Sequence, residues 1–535
     1  MKYNILFISN ESTLGGAATS LIDMLKGIKS KNVNCIVVIP ANGIIEERLQ
    51  ELGIRYHIVN FTMGFGPIGK ATREDEDSNF YDNYSAAIRL QEIIKEENIN
   101  LIHINSSVSN VGALAALRAG IPYVWHFREM LEEDFECEFW DKQLKKELIS
   151  RSNCIISISK TVQESYRSKY NIDSVCIYDG IDIERYHQDV KWEGNEQQYN
   201  FIITGMISKN KGQWDAVKAI ETLIKRGICN VHLTLLGSGN GRMLWVINKY
   251  IEQNKLMKYI TIIPFQKDLK KYREGNVYAI TTSKMEALGR CTIEAMMAGN
   301  IVIGADTGGT LEIIGKKNQR GYLYKQGDYE NLADVMYGVV MDSADTKIKH
   351  LAAAQKYAEK TFALEEYADK IFSLYEKAIR ADKKTDKKDI IKDLEQRYHT
   401  CSNVQIKNEL FLSKYQSVVT RWNRLSAEGR SVSGYLKNRL FFKVAIYGMG
   451  NLGCRLYDEL SATDIEIVSV IDKAPGFVEE IVTVMKTGEK LKGIDILIIM
   501  VADKPEEIAK IYIEDGSYSV KTIYEILVDM EDERG

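Results

Sequence analysis

Short apolar runs rich in β-formers alternate with amphipathic stretches along most of the chain, and this alternation most restricts what it can fold into. Strand candidates fall at residues 3–9, 34–40, 56–59, 101–104, 123–126, 154–158 and 175–178, with helical stretches such as 87–97 and 111–119 between them. Strand and helix in strict turn predict a parallel, doubly wound α/β sheet. The rhythm restarts at residues 199–204, and a third α/β unit opens near residue 441. At 535 residues the chain is too long for one ordinary domain,. The divisions expected are 1–180, 181–380, a charged helical linker at 381–440, and a small unit at 441–535.

The most informative stretch is 283–299, which lies between the apolar runs 276–282 and 301–304. It carries Glu286 and Glu294 with Gly289 between them, and a helix is expected to begin near Arg290 or Cys291. Glu286 then lies in the loop before the helix and Glu294 about one turn inside it. Both face the carboxyl end of the sheet, where open α/β sheets bind ligands. Unpaired N–H groups and the macrodipole at such a helix start favour a phosphate. Carboxylates repel phosphate but accept hydrogen bonds from hydroxyls, so the stretch suggests a pocket for a sugar phosphate or a nucleotide sugar.

The glutamate spacing, followed by Ala295-Met-Met-Ala-Gly299 and Gly308-Gly-Thr-Leu-Glu312, resembles the paired-glutamate motif of retaining glycosyltransferases. The relatives concerned have the GT-B architecture and form the large sucrose- and mannosyl-transferase-like family, glycosyltransferase family 4. The resemblance implies two Rossmann-like sheets facing a cleft. It implies that Glu286, His126 and Lys211 do the catalytic work, and that Gly15, Gly16, Lys209, Gly289, Arg290, Cys291, Thr292, Glu294 and Glu312 hold the donor. Gly15 and Gly16 open the first helix, where paired glycines permit close backbone approach. His126 ends a strand in Val124-Trp-His-Phe-Arg-Glu129, where Arg128 and Glu129 could simply pair with each other. Gly205-Met-Ile-Ser-Lys-Asn-Lys-Gly212 is similar to the family's diphosphate loop. Lys211 takes the lysine position, but Met206 stands where the family has arginine.

Other features are read more plainly. Asp75-Glu-Asp77 has the D-x-D form of a metal-holding motif, but in a polar stretch it reads as a solvated acidic loop, and no metal or other cofactor is expected,. Gly448, Gly450 and Gly453 follow a strand and precede a helix, and Asp472 ends the next strand. That context fits a dinucleotide fingerprint for NAD or another nucleotide, and equally a structural glycine turn. The run 381–389 is densely charged, and Tyr415, Trp422 and Tyr435 are aromatic anchors of a bridge or oligomer contact.

Composition sets the remaining bounds. With 45% hydrophobic residues, 27% charged residues and net charge −4, the chain has the make-up of a soluble globular protein and nothing of a bulk nucleic-acid binder,. Its eight cysteines include no C-x-x-C pair, which suits a reducing cytosol,. No apolar run approaches the roughly 20 residues needed to span a bilayer. A cytoplasmic protein is expected, with peripheral contact at the inner membrane face or homo-oligomer contact left open. The function expected is transfer of a sugar from a nucleotide-diphosphate sugar to a saccharide, glycolipid or glycoprotein acceptor. The alternatives are a nucleotide-sugar epimerase or a phosphorylase of the same fold, a sugar-nucleotide-binding scaffold with weakened catalysis, or an oxidoreductase acting through the tail.

Overall fold

The computed structural model describes residues 2–189, 197–239, 241–274, 277–381, 388–401, 417–474, 476–501, 505–513 and 517–532. The charge run at 382–387 and Tyr415 lie outside the described residues. Two compact units emerge, one of residues 1–205, 210–236 and 261–405, the other of 206–209, 237–260 and 406–535.

The first unit holds two parallel sheets. One has seven strands, in the order Arg55–Ile58, Val33–Ile39, Tyr3–Ile8, Leu101–Ile104, Tyr123–Phe127, Cys154–Ser157 and Val175–Cys176. Its central strands are buried almost throughout, as a sheet covered on both faces requires,. The other has six strands, in the order Ile260–Ile263, Val231–Leu236, Tyr199–Thr204, Val277–Thr281, Ile301–Ala305 and Tyr322–Tyr324. Helix Leu364–Arg380 follows the second sheet in sequence but buries Tyr367, Ile371, Tyr375 and Ala378 in the core of the first.

Two local expectations are corrected. The stretch around Asp75 and Asp77 is the start of helix Arg73–Glu96, not an acidic loop. Thr72 accepts from the Asp75 N–H at 3.1 Å, and the Asp75 carboxylate accepts from the Thr72 N–H at 2.8 Å, a reciprocal cap for two otherwise unpaired donors,. Helix Lys388–Cys401, expected in the linker, packs on that helix: Ile390 and Leu394 join the first unit's core and Tyr398 stacks on Tyr81 at 4.8 Å. Arg397 bonds Asp141 and, at 2.9 Å, Asp77.

The second unit is built on a five-stranded parallel sheet in the order Val484–Met485, Glu466–Ile471, Lys443–Tyr447, Ile496–Ile499 and Ser519–Thr522. Helix Gly241–Gln253 belongs to this unit and faces helix Asn451–Ser461. Trp245 Nε1 donates to Asp458 at 2.8 Å, and Lys249 pairs with the same carboxylate at 3.2 Å. Trp422 is buried, and the Tyr435 hydroxyl donates to Asp529 at 2.6 Å. Among the described residues no helix is long and apolar enough to cross a membrane.

Candidate functional site

Helix Arg290–Met297 starts where expected, after Gly289 at φ +87°, a left-handed conformation that suits glycine,. Glu286 lies in the loop before it. Its Oε1 accepts from Lys211 Nζ at 2.8 Å and from Ser283 Oγ at 2.5 Å. Lys211 is held in place from behind, because its carbonyl accepts from Thr282 Oγ1 at 2.8 Å. Gly212, at φ +66°, lies so close to the strand end that a Cβ would come within 2.3 Å of the Thr282 carbonyl. Burial works against the charge on Lys211, but Glu286 and Asp134 outweigh it and hold the ammonium above the ordinary lysine range.

Asp134 is the residue that sequence reasoning missed. It sits on helix Leu131–Phe135, is 5% exposed, and its Oδ1 is buried without a hydrogen-bond partner. Asn210 Nδ2 donates to its backbone carbonyl, bringing the loop before Lys211 against this helix. Burial pushes its carboxyl up to about 7; Lys211 opposes that shift, and Glu286, Glu129 and Glu133 add to it.

His126 is fully buried at the end of strand Tyr123–Phe127. Arg128 Nη2 lies 3.2 Å from its Nδ1, and a guanidinium can only donate, so Nδ1 is the acceptor and Nε2 carries the proton,. Burial, then the charge on Arg128, keeps the ring neutral by pressing its pKa well below the usual value. Nε2 is buried without a partner. Arg128 and Glu129 do not pair through their side chains. Arg128 donates to both carboxylate oxygens of Asp179 at 2.7 Å and to Asn105 at 2.9 Å. The Glu129 carboxylate takes Ser106 Oγ at 2.5 Å and Ser107 Oγ at 2.8 Å.

Glu294 lies between two guanidinium groups, 3.5 Å from Arg273 and 3.6 Å from Arg290. Arg290 also reaches Asp23 at 2.6 Å and Ser20 at 3.2 Å on helix Gly16–Ile28, tying the helix of the second sheet to the first. Thr292 hydrogen-bonds Thr281 at 2.8 Å, and burial raises the Cys291 thiol. Gly15 caps helix Gly16–Ile28, and a Cβ there would meet the Glu11 carboxylate at 2.6 Å, whereas Gly16 faces open space. Glu312 caps helix Lys160–Tyr170, accepting from Lys160 N at 3.1 Å and Thr161 N at 3.0 Å, and also takes the Tyr178 hydroxyl at 2.5 Å. The structure thus brings Lys211, Glu286 and Asp134 together, and Glu294 with Arg273 and Arg290; it places Glu312 in a contact between the layers. Met206 and Lys209 fall in the other unit, where Met206 is 56% exposed and Lys209 begins the turn Lys209–Lys211.

In the second unit, Gly448 has φ +94°, and a Cβ on Gly453 would lie 2.0 Å from the Gly448 carbonyl. Gly450 faces open space. Asp472 accepts from Met449 N at 2.6 Å and Ala474 N at 2.8 Å, and Arg242 approaches it at 3.8 Å.

Two parallel α/β sheets with a helix-start site on the second are the GT-B glycosyltransferase architecture. Family models place residues 14–185 with "Glycosyltransferase Family 4" and residues 184–361 with "Glycosyl transferases group 1". The chain belongs to the family-4-like glycosyltransferases of GT-B fold. Spore coat protein SA of Bacillus subtilis is 23% identical over 343 residues, covering 57% of this chain and 87% of the relative. Anabaena HepE, solved with UDP and glucose, superposes with a TM-score of 0.57 at 20% identity, over 69% of this chain and 98% of its own. Staphylococcus aureus TarM, solved as a mutant with fondaparinux, α-GlcNAc-glycerol and UDP, gives a TM-score of 0.56 at 13% identity, over 70% of this chain and 100% of its own.

Proposed function

We propose that this protein is a retaining glycosyltransferase that moves a sugar from a nucleotide-diphosphate sugar to a saccharide or glycoconjugate acceptor in glycan assembly. The observation that carries the reading is the Lys211–Glu286 pair at 2.8 Å beside the start of helix Arg290–Met297. A cation and unpaired N–H groups suit a diphosphate, and a carboxylate beside them suits the hydroxyls of the attached sugar. In this reading the diphosphate lies on the helix start and Lys211, Glu294 takes the ribose, and Glu286 accepts from a sugar hydroxyl. The Nε2–H of His126 donates to the sugar. The bond from the anomeric carbon to the phosphate oxygen breaks as the acceptor oxygen bonds that carbon on the same face. The acceptor's hydroxyl proton passes to the departing phosphate, so configuration is retained without a carboxylate nucleophile. Lys211 stabilises the charge growing on that phosphate.

The bound UDP and glucose of HepE and the bound UDP of TarM support a nucleotide-sugar donor for this chain too. Thermal shifts with a nucleotide-sugar panel identify the donor, and the anomeric configuration of the product then tests retention. An inverted product, or unchanged turnover in Glu286→Ala, would sink the mechanism. One feature favours a weakened, donor-binding subunit as the second reading: Met206 stands at the arginine position of the diphosphate loop that this stretch resembles, and its side chain cannot donate a hydrogen bond,. Release of nucleotide only when an acceptor is added separates a transferase from both that subunit and an epimerase.

A further inference from the structure

Arg273 is a buried cation whose hydrogen bonding the first unit leaves incomplete. It ends the short helix Lys270–Arg273, and its side chain is 2% exposed. Its carbonyl is pinned by Asn300 Nδ2 at 2.8 Å. Nη2 donates to Thr204 Oγ1 at 3.1 Å and lies 3.5 Å from Glu294. Nε and Nη1 are buried and have no acceptor. A guanidinium cannot accept a hydrogen bond or shed its proton in a protein, so neither a tautomer nor a titration can relieve this. Buried groups of this kind find partners in nearly all native structures, and an exception calls for an explanation.

The surroundings indicate what the partner is. Thr204 ends the strand Tyr199–Thr204, and Glu294 stands one turn inside helix Arg290–Met297, so the two unused donors lie beside the positive end of that helix,. The neighbouring guanidinium differs: Arg290 is already engaged by Asp23, Ser20 and Glu294 and serves the packing of the two layers. Glu294, the nearest carboxylate, is shared between the two arginines. A group that only accepts, carries negative charge and presents several oxygens would complete Arg273. A phosphate does all three.

We infer that Arg273 is a phosphate-binding residue, its Nε and Nη1 donating to oxygens of the donor's diphosphate at the start of helix Arg290–Met297. This rests on the nucleotide-sugar reading above and adds to it a second cation, besides Lys211, for the leaving group. Because Thr204 and Glu294 already hold the guanidinium and Asn300 holds the backbone beneath it, little of its freedom remains to be lost on binding,.

The test is calorimetric titration of the full chain with UDP and with inorganic pyrophosphate, using wild type, Arg273→Met and Arg273→Lys. The expected result is that Arg273→Met weakens both ligands by about 10-fold or more, as loss of hydrogen bonds to a charged group implies. Arg273→Lys, which keeps the charge and loses the fork, should fall between. Should Arg273→Met fail to fold, the lysine variant carries the test, and wild-type affinity in it overturns the inference. Weakened UDP with unchanged pyrophosphate places Arg273 at the nucleoside and also overturns it. A wild-type chain that binds pyrophosphate, UDP and the rest of the nucleotide panel not at all refutes the donor reading itself, which is a different result from a wild type that binds and a variant that binds equally well.

Discussion

Replacing Asp134 with asparagine should change how stability depends on pH. The folded carboxyl titrates near 7 because burial disfavours its charge, against the pull of Lys211 and with Glu286, Glu129 and Glu133 adding repulsion. In the unfolded chain it titrates near about 3.9. Between these values the native state holds a proton that the unfolded state has released. Stability therefore falls as pH rises through that window and levels off above about 7. At about 1.4 kcal/mol per unit over roughly three units, ionising Asp134 costs the folded state on the order of 4 kcal/mol at pH 8. The amide of Asp134→Asn cannot ionise, so the gap between variant and wild type should widen in the variant's favour from pH 4.5 to 8. Urea unfolding of both proteins across that range measures the gap, and the difference cancels other titrating groups such as the buried histidines. Parallel curves would refute the argument and mean that Asp134 is solvated or neutralised by Lys211.

Lys211→Met should weaken UDP binding by about 10- to 100-fold through loss of a charge-assisted contact, while Glu286→Gln leaves UDP affinity equal or tighter because Lys211 is released; calorimetry separates the two,. Arg128→Met leaves the Asp179 carboxylate buried and unpaired and should cost about 3–5 kcal/mol in denaturant, much of it regained by adding Asp179→Asn,. Gly212→Ala brings a Cβ within 2.3 Å of the Thr282 carbonyl at φ +66°, so it should lower the unfolding midpoint, and the displaced Lys211 should show as weaker UDP binding,.

The residues that were legible announced themselves through glycine. Gly212 and Gly289 stand at positions where φ is positive, and they mark the loops that carry Lys211 and Glu286. The residues that were not legible had the look of surface. Asp134 ends the acidic run Glu132-Glu133-Asp134, and Arg273 ends the basic run Lys270-Lys271-Tyr272-Arg273. Only the packing of other elements over them, Asn210 against one and Thr204 with Asn300 against the other, turns solvated charge into buried charge. Arg128 and Glu129 show the complementary failure. As neighbours in sequence they suggested a pair, but past the end of strand Tyr123–Phe127 the two side chains find different partners. One met Asp179 and the other Ser106 and Ser107. Thr72 and Asp75 did carry a capping box, hidden within an acidic run whose composition suggested a loop.

The glycine fingerprint of the third sheet calls for a different expectation from the one its spacing suggests. Gly448 and Gly453 answer to packing: the first makes a left-handed turn, and the third lets the helix close on the strand. Asp472 is spent inside the unit, because it accepts the Met449 N–H, which belongs to a residue with no exposure, as well as the Ala474 N–H. A ribose diol would have to share those lone pairs and also compete with Arg242 at 3.8 Å. Removing the acid should therefore act on folding before it acts on any ligand. Asp472→Ala leaves the Met449 amide buried without an acceptor and should lower the stability of this unit by about 1–3 kcal/mol, with or without NAD present. Hydrogen exchange at the strands Lys443–Tyr447 and Ile496–Ile499 follows that loss directly,. Saturable NAD binding to the full chain that vanishes in Asp472→Ala, with exchange unchanged, would refute the packing role and restore the dinucleotide one.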